Sequence, residues 1–331
     1  MKIIDKRTFF EITEIFYSVP FTQSKGWWEL NSVENENRFA FFVDSLEDPT
    51  FACMGHIKKC FGLKMLQIEG ECSAKQIDFE DRKQTQQYIL ALKSFCSDLQ
   101  SVGYNIIEIR SNTQWNFNYE IALRQAGYLR PVGLFSTTAT RIIDLTKQVQ
   151  YDRNWERNIK KAEEYNLKLE IIEKPSEKDC ADFCFIYNTM SNRKLLNHHL
   201  SHKQIFMLCS DKSFQMLFVN DGDMRIAAFI IFIDNKTATS EGIFTGSTEK
   251  ALEKHATFFI YNEMFQYLKS FCKSYNMAKL TPSISGKLFQ FKNGIQGKAI
   301  NLNGEYSWYK HKFFRPLMYF VKKYLFKERE V

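Results

Sequence analysis

The spacing of apolar and polar residues predicts alternating strands and helices through the first half of the chain. Residues 4–19 carry apolar positions at helical spacing. Three runs rich in aromatic and β-branched residues predict strands at 38–43, 51–59 and 63–69. The next apolar stripe predicts a long helix over 81–102 that buries Tyr88, Leu92, Phe95 and Leu99. A strand, a short helix and another strand are then predicted at 105–109, 118–125 and 134–145.

The second half of the chain repeats this order. Its predicted elements are a basic helix at 155–165, a strand at 168–173, a helix at 176–193, strands at 214–220, 225–234 and 237–244, a long helix at 252–275 and a strand at 277–281. Three meandering strands, a long helix, a further strand and a closing strand thus occur twice. We therefore predict an α/β fold of the α+β type with two copies of one unit, at 1–150 and 151–312. Each copy should be a mixed, mostly antiparallel sheet flanked by helices.

The stretch 285–300 supplies the predicted closing strand of the second copy. Phe289 and Phe291 alternate with polar residues, and the glycines that follow favour turns. Lys292 is then held at a strand end beside glycine loops. A lysine fixed in this way can donate a hydrogen bond to a developing oxyanion in acyl transfer. The alternative is an ordinary solvated lysine on a strand.

Composition is typical of a soluble globular protein, with 44% apolar and 25% charged residues. Asp5, Glu11 and Glu14 interrupt the apolar pattern of residues 1–21, which therefore lack the features of a signal peptide. The longest apolar run, 226–233, is too short to span a bilayer. The eight cysteines include no CxxC pair, so we expect reduced, buried cysteines in a cytoplasmic protein.

The net charge of +7 is concentrated at the C-terminal end. The last 22 residues contain seven basic and two acidic residues, which give +5. This distribution excludes a broadly basic nucleic-acid-binding surface. Within 313–331, apolar residues recur every three or four positions and basic residues fill much of the rest, which predicts a basic amphipathic helix. Such a helix either contacts an anionic membrane surface or docks on its own domain.

Six short segments occur in an order that is known from one protein family. They are Thr-Gln-Ser-Lys-Gly-Trp at 22–27, Ala-Gly-Tyr at 126–128, Arg-Asn-Ile-Lys-Lys-Ala-Glu-Glu at 157–164, Ile-Phe-Thr-Gly-Ser at 243–247, Asn-Glu-Met with a later tyrosine at 262–267, and Phe-Lys-Asn-Gly at 291–294. Together with the repeated order of elements, they resemble the Fem family. Its members have a tandem acetyltransferase-like (GNAT) fold and move amino acids from aminoacyl-tRNA onto peptidoglycan precursors.

The resemblance implies roles for particular residues. Lys292 would stabilise the tetrahedral intermediate as the acceptor amine attacks an activated carboxyl group. Phe291 would lie beside the acyl group, unless it is a core residue. Arg193 or His199 would bind phosphate of the precursor, unless both are plain surface residues. Arg110 stands where the family has an acidic residue near the acceptor amine.

Several departures from the family pattern concern the substrate rather than the scaffold. The Phe-Lys element usually continues through Phe-Gly-Gly, but here Ile295 and Gln296 precede Gly297. No basic residue follows the opening tryptophan, since Glu29, Leu30 and Asn31 stand there. The sequence therefore predicts the reaction class more firmly than the substrate, which would be a cell-envelope precursor of the peptidoglycan type.

The donor substrate is predicted from a missing loop. Ordinary acetyltransferases bind the pyrophosphate of coenzyme A with Gln/Arg-x-x-Gly-x-Gly/Ala. The corresponding stretches, 70–81 and 246–255, lack a second glycine. Aminoacyl-tRNA is therefore favoured over acyl-CoA, and no tightly bound cofactor is expected. Lys58, Lys59 and Lys64 offer positive charge for a tRNA or nucleotide phosphate, unless they are merely solvated.

No metal site is predicted. The cluster His198-His199-x-x-His202 lacks the glutamate of a zincin motif. Three hypotheses therefore remain: a cytoplasmic transferase at the inner membrane face that forms an amide on an envelope precursor, an acyl-CoA-dependent N-acyltransferase acting on an amino sugar, amino acid or lipid, and a non-catalytic lipid-surface binding module.

Overall fold

The computed structural model describes residues 1–33, 36–60, 62–76, 78–131, 139–196, 198–280, 286–320 and 324. The strands within these ranges are β1 (Lys2–Ile4), β2 (Phe39–Val43), β3 (Phe51–Cys60), β4 (Leu63–Glu69), β5 (Cys72–Ser73), β6 (Ile106–Gln114), β7 (Ala139–Asp144), β8 (Lys168–Ile172), β9 (Phe214–Asp221), β10 (Met224–Asp234), β11 (Thr239–Ser247), β12 (Ser274–Lys279) and β13 (Lys298–Tyr309). The α-helices are α1 (Lys6–Glu14), α2 (Lys25–Ser32), α3 (Arg82–Ser101), α4 (Phe117–Gln125), α5 (Arg153–Glu163), α6 (Glu177–Arg193), α7 (His202–Leu208), α8 (Glu249–Glu253), α9 (Ala256–Leu268), α10 (Lys287–Asn293) and α11 (Phe314–Phe320).

The chain divides into two compact units. Unit 1 comprises Met1–Ser24, Glu34–Ala139 and Ile300–Val331, and unit 2 comprises Lys25–Val33 and Thr140–Ala299. Neither unit is continuous in sequence, unlike the predicted blocks 1–150 and 151–312. The reason is tertiary pairing: β13 forms its ladder with β6 of unit 1, and α2 packs on α7 of unit 2.

Unit 1 is built on a sheet with the strand order β1-β2-β3-β4-β6-β13. Its first four strands are antiparallel, β4 and β6 are parallel with α3 between them in the chain, and β13 runs antiparallel to β6. The predicted stripe on α3 is confirmed, because Tyr88, Leu92, Phe95 and Leu99 are all buried. They pack with Tyr119, Leu123 and other residues of α4 against one face of the sheet.

Unit 2 repeats this topology with the order β8-β9-β10-β11-β12-β7. Strands β8 to β11 are antiparallel, β11 and β12 are parallel across α8 and α9, and β7 runs antiparallel to β12. Ile260, Met264 and Leu268 of α9 and Trp155 of α5 fill its core. The short helix α10 follows β12 just as α4 follows β6 in unit 1. The predicted α/β fold with two copies of one unit is therefore confirmed.

Some predicted boundaries are wrong. The segment read as a strand around Lys292 is the helix α10, because the alternation of Phe289 and Phe291 is too short to tell a strand from a helix. The predicted helix 252–275 is divided at His255, whose φ is +54°, and ends at Leu268. Of the predicted strand 134–145, residues 139–144 form β7, and residues 134–138 lie outside the described residues. Of the predicted tail helix 313–331, residues 314–320 form α11, and nearly all later residues lie outside the described residues.

Candidate active site

In unit 2 the parallel strands β11 and β12 pair over a short distance only. Their register joins three residue pairs and ends at Glu241 and Asn276. Beyond this point β12 is irregular, with a register shift between Asn276 and Lys279 and a φ of +56° at Ala278. A left-handed backbone at an alanine is strained and is seen most often where structure serves a site. Polar side chains from four elements meet here.

Lys292 reaches this point from α10. Its side chain is buried, with 8% of the residue exposed, and Nζ donates a hydrogen bond of 2.6 Å to the carbonyl oxygen of Met277. The alternative of a solvated lysine is therefore wrong. An ammonium held by a backbone carbonyl keeps a fixed direction, which is what electrostatic stabilisation of a reacting group requires.

The position of Lys292 depends on how α10 is anchored. Trp155 Nε1 donates 2.8 Å to the carbonyl oxygen of Phe291. Gly294 ends the helix against the same indole, where a Cβ atom would lie 2.2 Å from the ring. The Gly294 carbonyl accepts from the backbone N–H of Asp152 at 2.8 Å. These contacts fix both the depth and the rotation of the helix.

Glu241 is the titratable partner of Lys292. Burial raises the pKa of Glu241 to about 7, against the opposing effects of the Lys292 charge and a hydrogen bond from Asn276. A carboxyl group with this pKa gains and loses a proton near neutral pH, which suits a general acid or base. Glu241 was not predicted as a site residue, because a single glutamate in Ser-Glu-Gly is typical of a solvated strand position.

Asn276 is oriented by its neighbours. Its Oδ1 accepts from the backbone N–H of Ala278 at 2.9 Å and from the Thr140 hydroxyl. With the oxygen engaged in this way, the amide nitrogen is the group left to donate to the Glu241 carboxylate. The strained Ala278 thus serves to hold the asparagine.

Phe291 packs within an aromatic cluster. Its ring centroid lies 4.6 Å from Trp155, 5.3 Å from Phe258 and 5.6 Å from Tyr261. This is the core position that the sequence left open as an alternative. A role of Phe291 beside an acyl group stays a prediction.

Arg193 lies at the other end of β11. Its Nη2 donates to the carbonyl oxygen of Ser247 at 3.0 Å and to the Ser247 hydroxyl at 3.3 Å. Nη1 is buried and has no hydrogen-bond partner among the residues that the structure describes. His198 and His199 are both exposed, but the His198 ring shares a hydrogen bond of 3.0 Å with the Tyr187 hydroxyl and stacks on Phe244. His198, the neighbour of the predicted His199, thus belongs to an aromatic cluster with Tyr187 and Phe244.

Arg110 lies in unit 1 on a polar face of the sheet. Its guanidinium is 3.6 Å from Glu69 and 4.0 Å from Glu108. By strand register the same face carries two further nearly buried residues, Glu305 opposite Arg110 and Ser307 opposite Glu108. The sequence predicted no acidic residue here, but Glu108 stands two positions before Arg110 on the same face. The strand was predicted to end at 109, so this pairing of polar positions was not recognised.

The described ranges contain neither a metal centre nor a membrane-spanning helix. No group of three or more histidine, cysteine, aspartate or glutamate residues is placed to hold a metal ion there. No helix in that part of the chain has both the length and the apolar character needed to cross a membrane.

No family model and no curated protein sequence matches this chain. Solved structures match it in fold. FemX is 10% identical, with 96% of this chain and 100% of that chain covered and a TM-score of 0.71. The chain shares the FemX fold. L-PGS from Bacillus licheniformis is 13% identical over 86% of this chain and 88% of that chain, with a TM-score of 0.63. The C-terminal domain of a putative lysylphosphatidylglycerol synthetase from Agrobacterium fabrum is 12% identical over 96% of each, with a TM-score of 0.63. These likenesses confirm the predicted tandem GNAT-like fold and its resemblance to the Fem family.

Proposed function

We propose that the protein is an acyltransferase that forms an amide bond between an activated aminoacyl or acyl group and an amine. The observation that carries this proposal is the buried Lys292, whose charge acts on Glu241 at the point where β11 and β12 stop pairing. A buried ammonium next to a carboxyl group of near-neutral pKa combines an electrostatic catalyst with a proton acceptor.

Lys292 stabilises the negative charge that develops on the acyl oxygen. An ammonium group has three N–H donors, and the hydrogen bond from one of them to the Met277 carbonyl oxygen sets the directions of the other two. Because the group is shielded from water, its attraction for an oxyanion is stronger than in solution. Preorganised donors of this kind are worth on the order of 10² to 10³ in kcat.

Glu241 accepts the proton that the amine must lose. The nitrogen attacks the acyl carbon, the bond from that carbon to the leaving oxygen or sulfur breaks, and the leaving group takes up a proton. A carboxylate with a pKa of about 7 is basic enough to accept the ammonium proton and acidic enough to return it.

The acceptor is proposed to be an amine on a cell-envelope precursor. The buried Nη1 of Arg193 in unit 2 offers a donor to phosphate, which a nucleotide- or lipid-linked precursor carries. Work on such a precursor would place the protein in the cytoplasm at the inner membrane face.

The donor is proposed to be an aminoacyl-tRNA. The absent coenzyme A loop supports this choice, as does the fold shared with FemX and with a protein whose name is that of a lysylphosphatidylglycerol synthetase. The competing donor is acyl-CoA.

The test is a transfer assay with purified protein and envelope precursors that carry a free amine. Charged tRNA, uncharged tRNA and acetyl-CoA are supplied separately, and donor affinity is measured by calorimetry. We expect product only with charged tRNA, and no measurable affinity for acetyl-CoA. Transfer from acetyl-CoA would keep the reaction class and replace the donor. Absence of transfer from any activated donor, with binding to lipid vesicles alone, would leave a non-catalytic binding module.

A further inference from the structure

One end of the unit 1 sheet collects basic residues. The register pairs Lys59 with Lys64 across the β3–β4 hairpin. Lys64 and Lys310 are joined through one residue, since the Asn105 side chain accepts from the Lys64 N–H at 2.9 Å and the Asn105 carbonyl accepts from the Lys310 N–H at 2.9 Å. The end of β3 and the start of β4 therefore lie beside the end of β13, from which α11 continues.

The helix α11 buries one side and exposes the other. Phe314 and Met318 are buried against Met65 and Ile106. The Arg315 guanidinium donates 2.9 Å to the carbonyl oxygen of Arg130, which ties the helix to the unit. The described part of the tail helix, Phe314–Phe320, is thus docked on its own unit, as in one of the two predicted alternatives.

Docking leaves a second apolar side uncovered. Phe313, Leu317 and Phe320 are 61%, 40% and 55% exposed. Lys310 and Lys312 flank them, and the sequence beyond residue 320 adds Lys322, Lys323, Lys327 and Arg329. Exposed apolar side chains bordered by cations are the combination found on helices that lie in the interface of a membrane.

We propose that this surface, made of Phe313, Leu317 and Phe320 with the cations around them, docks the protein on a membrane that contains anionic phospholipid. The apolar side chains enter the boundary between head groups and acyl chains, while the lysines reach the lipid phosphates. A second copy of the chain is a poor occupant, because a symmetric contact would bring two clusters of positive charge together. A nucleic acid would engage the lysines but gains nothing from exposed leucine and phenylalanine. Membrane binding through this surface is independent of the proposed acyl transfer.

The experiment is co-sedimentation of the full-length protein with vesicles, either of phosphatidylcholine alone or of phosphatidylcholine and phosphatidylglycerol in equal parts. The test variant is Leu317→Ser with Phe320→Ser, and the control is Phe185→Ser, which removes a 70% exposed ring from α6 in unit 2. We expect the wild-type protein to sediment with the phosphatidylglycerol vesicles and to be released by salt. The double variant should lose about tenfold or more in partitioning, and the control should match the wild type.

A second variant, Lys310→Glu with Lys312→Glu, tests the charge without touching the apolar side. It should remove the preference for phosphatidylglycerol. The proposal is overturned if the wild-type protein stays in the supernatant with both vesicles, or if the double serine variant sediments like the wild type. It is also overturned if the protein self-associates without vesicles and only the serine variant loses that association, since the surface would then bind a second copy.

Discussion

The two units place a short helix at the same step of their topology and use it differently. In unit 1, α4 supplies Tyr119, whose hydroxyl donates a hydrogen bond to the Glu71 carboxyl group. The Tyr88 hydroxyl donates a second hydrogen bond to Glu71 at 3.0 Å. In unit 2, α10 supplies Lys292, whose charge acts on Glu241. Each unit thus has a half-buried carboxyl group near the end of its parallel strand pair. Glu71 accepts hydrogen bonds from neutral hydroxyl groups, whereas Glu241 has a hydrogen bond from Asn276 and lies in the field of a cation.

The surroundings explain why only one of these carboxyl groups is suited to chemistry. Phe79 lies 5.4 Å from the Tyr88 ring and 5.2 Å from the Tyr119 ring, so aromatic side chains enclose Glu71. Burial raises the pKa of Glu71, and its two tyrosine donors have pKa values raised well above the ordinary value. The two tyrosine hydroxyl groups therefore keep their protons at neutral pH and stay hydrogen-bond donors to Glu71. Under the proposed function, the same scaffold serves packing in unit 1 and holds the proton acceptor in unit 2.

Replacing Glu241 and Glu71 in turn should give the largest difference in rate between the two units. Glu241→Gln keeps the hydrogen bond to Asn276 but removes the proton acceptor, so we expect kcat to fall on the order of 10² to 10⁴-fold. Glu71→Gln should leave kcat unchanged. Steady-state kinetics on both variants measures this, and equal losses of kcat would show that the units do not differ as described.

The hydroxyl groups around Glu71 should matter for stability rather than rate. Tyr119→Phe removes one donor from a buried carboxyl group, which costs about 1 to 3 kcal/mol in the free energy of unfolding. Urea unfolding measures this loss, and kcat should stay at the wild-type value. The matched control is Tyr17→Phe, on an exposed tyrosine of the same unit. A drop in kcat at unchanged stability would assign unit 1 a catalytic carboxyl group.

The smallest effect concerns pH. Because Glu241 must be ionised to accept a proton, kcat/KM should rise with pH and level off above about 7. Lys292 lowers the pKa of Glu241, so Lys292→Met should move its titration, followed by carbon NMR of the carboxyl group, to higher pH. In the Glu71→Gln variant the pH profile should be unchanged. An inflection that stays in place without Lys292 would contradict the coupling of the two groups.

How much of this could be predicted from the sequence depends on how local each feature is. The face of α3 and the repeated order of elements follow from periodicity, and the structure confirms them. The pairing of the closing strands does not follow from periodicity, because β13 pairs with β6 nearly two hundred residues earlier and no local pattern specifies that partner. Lys292 was singled out from the stretch 285–300 and given its role by the resemblance, but its helix was not predicted. Burial raises the pKa of Glu241 and the charge of Lys292, about fifty residues later in the chain, opposes the rise, so the neighbours of Glu241 in sequence carry no signal.

Transfer by Lys292→Met tests the central claim most directly. Methionine keeps most of the buried stem and removes the ammonium. The matched control is Lys298→Met, at an exposed lysine of the same unit. Single-turnover transfer from the donor that the wild-type protein accepts should fall on the order of 10² to 10³-fold in Lys292→Met, with donor affinity and the unfolding transition unchanged. The control should react like the wild type. Transfer at the wild-type rate without Lys292 would contradict its role as the catalyst of acyl transfer.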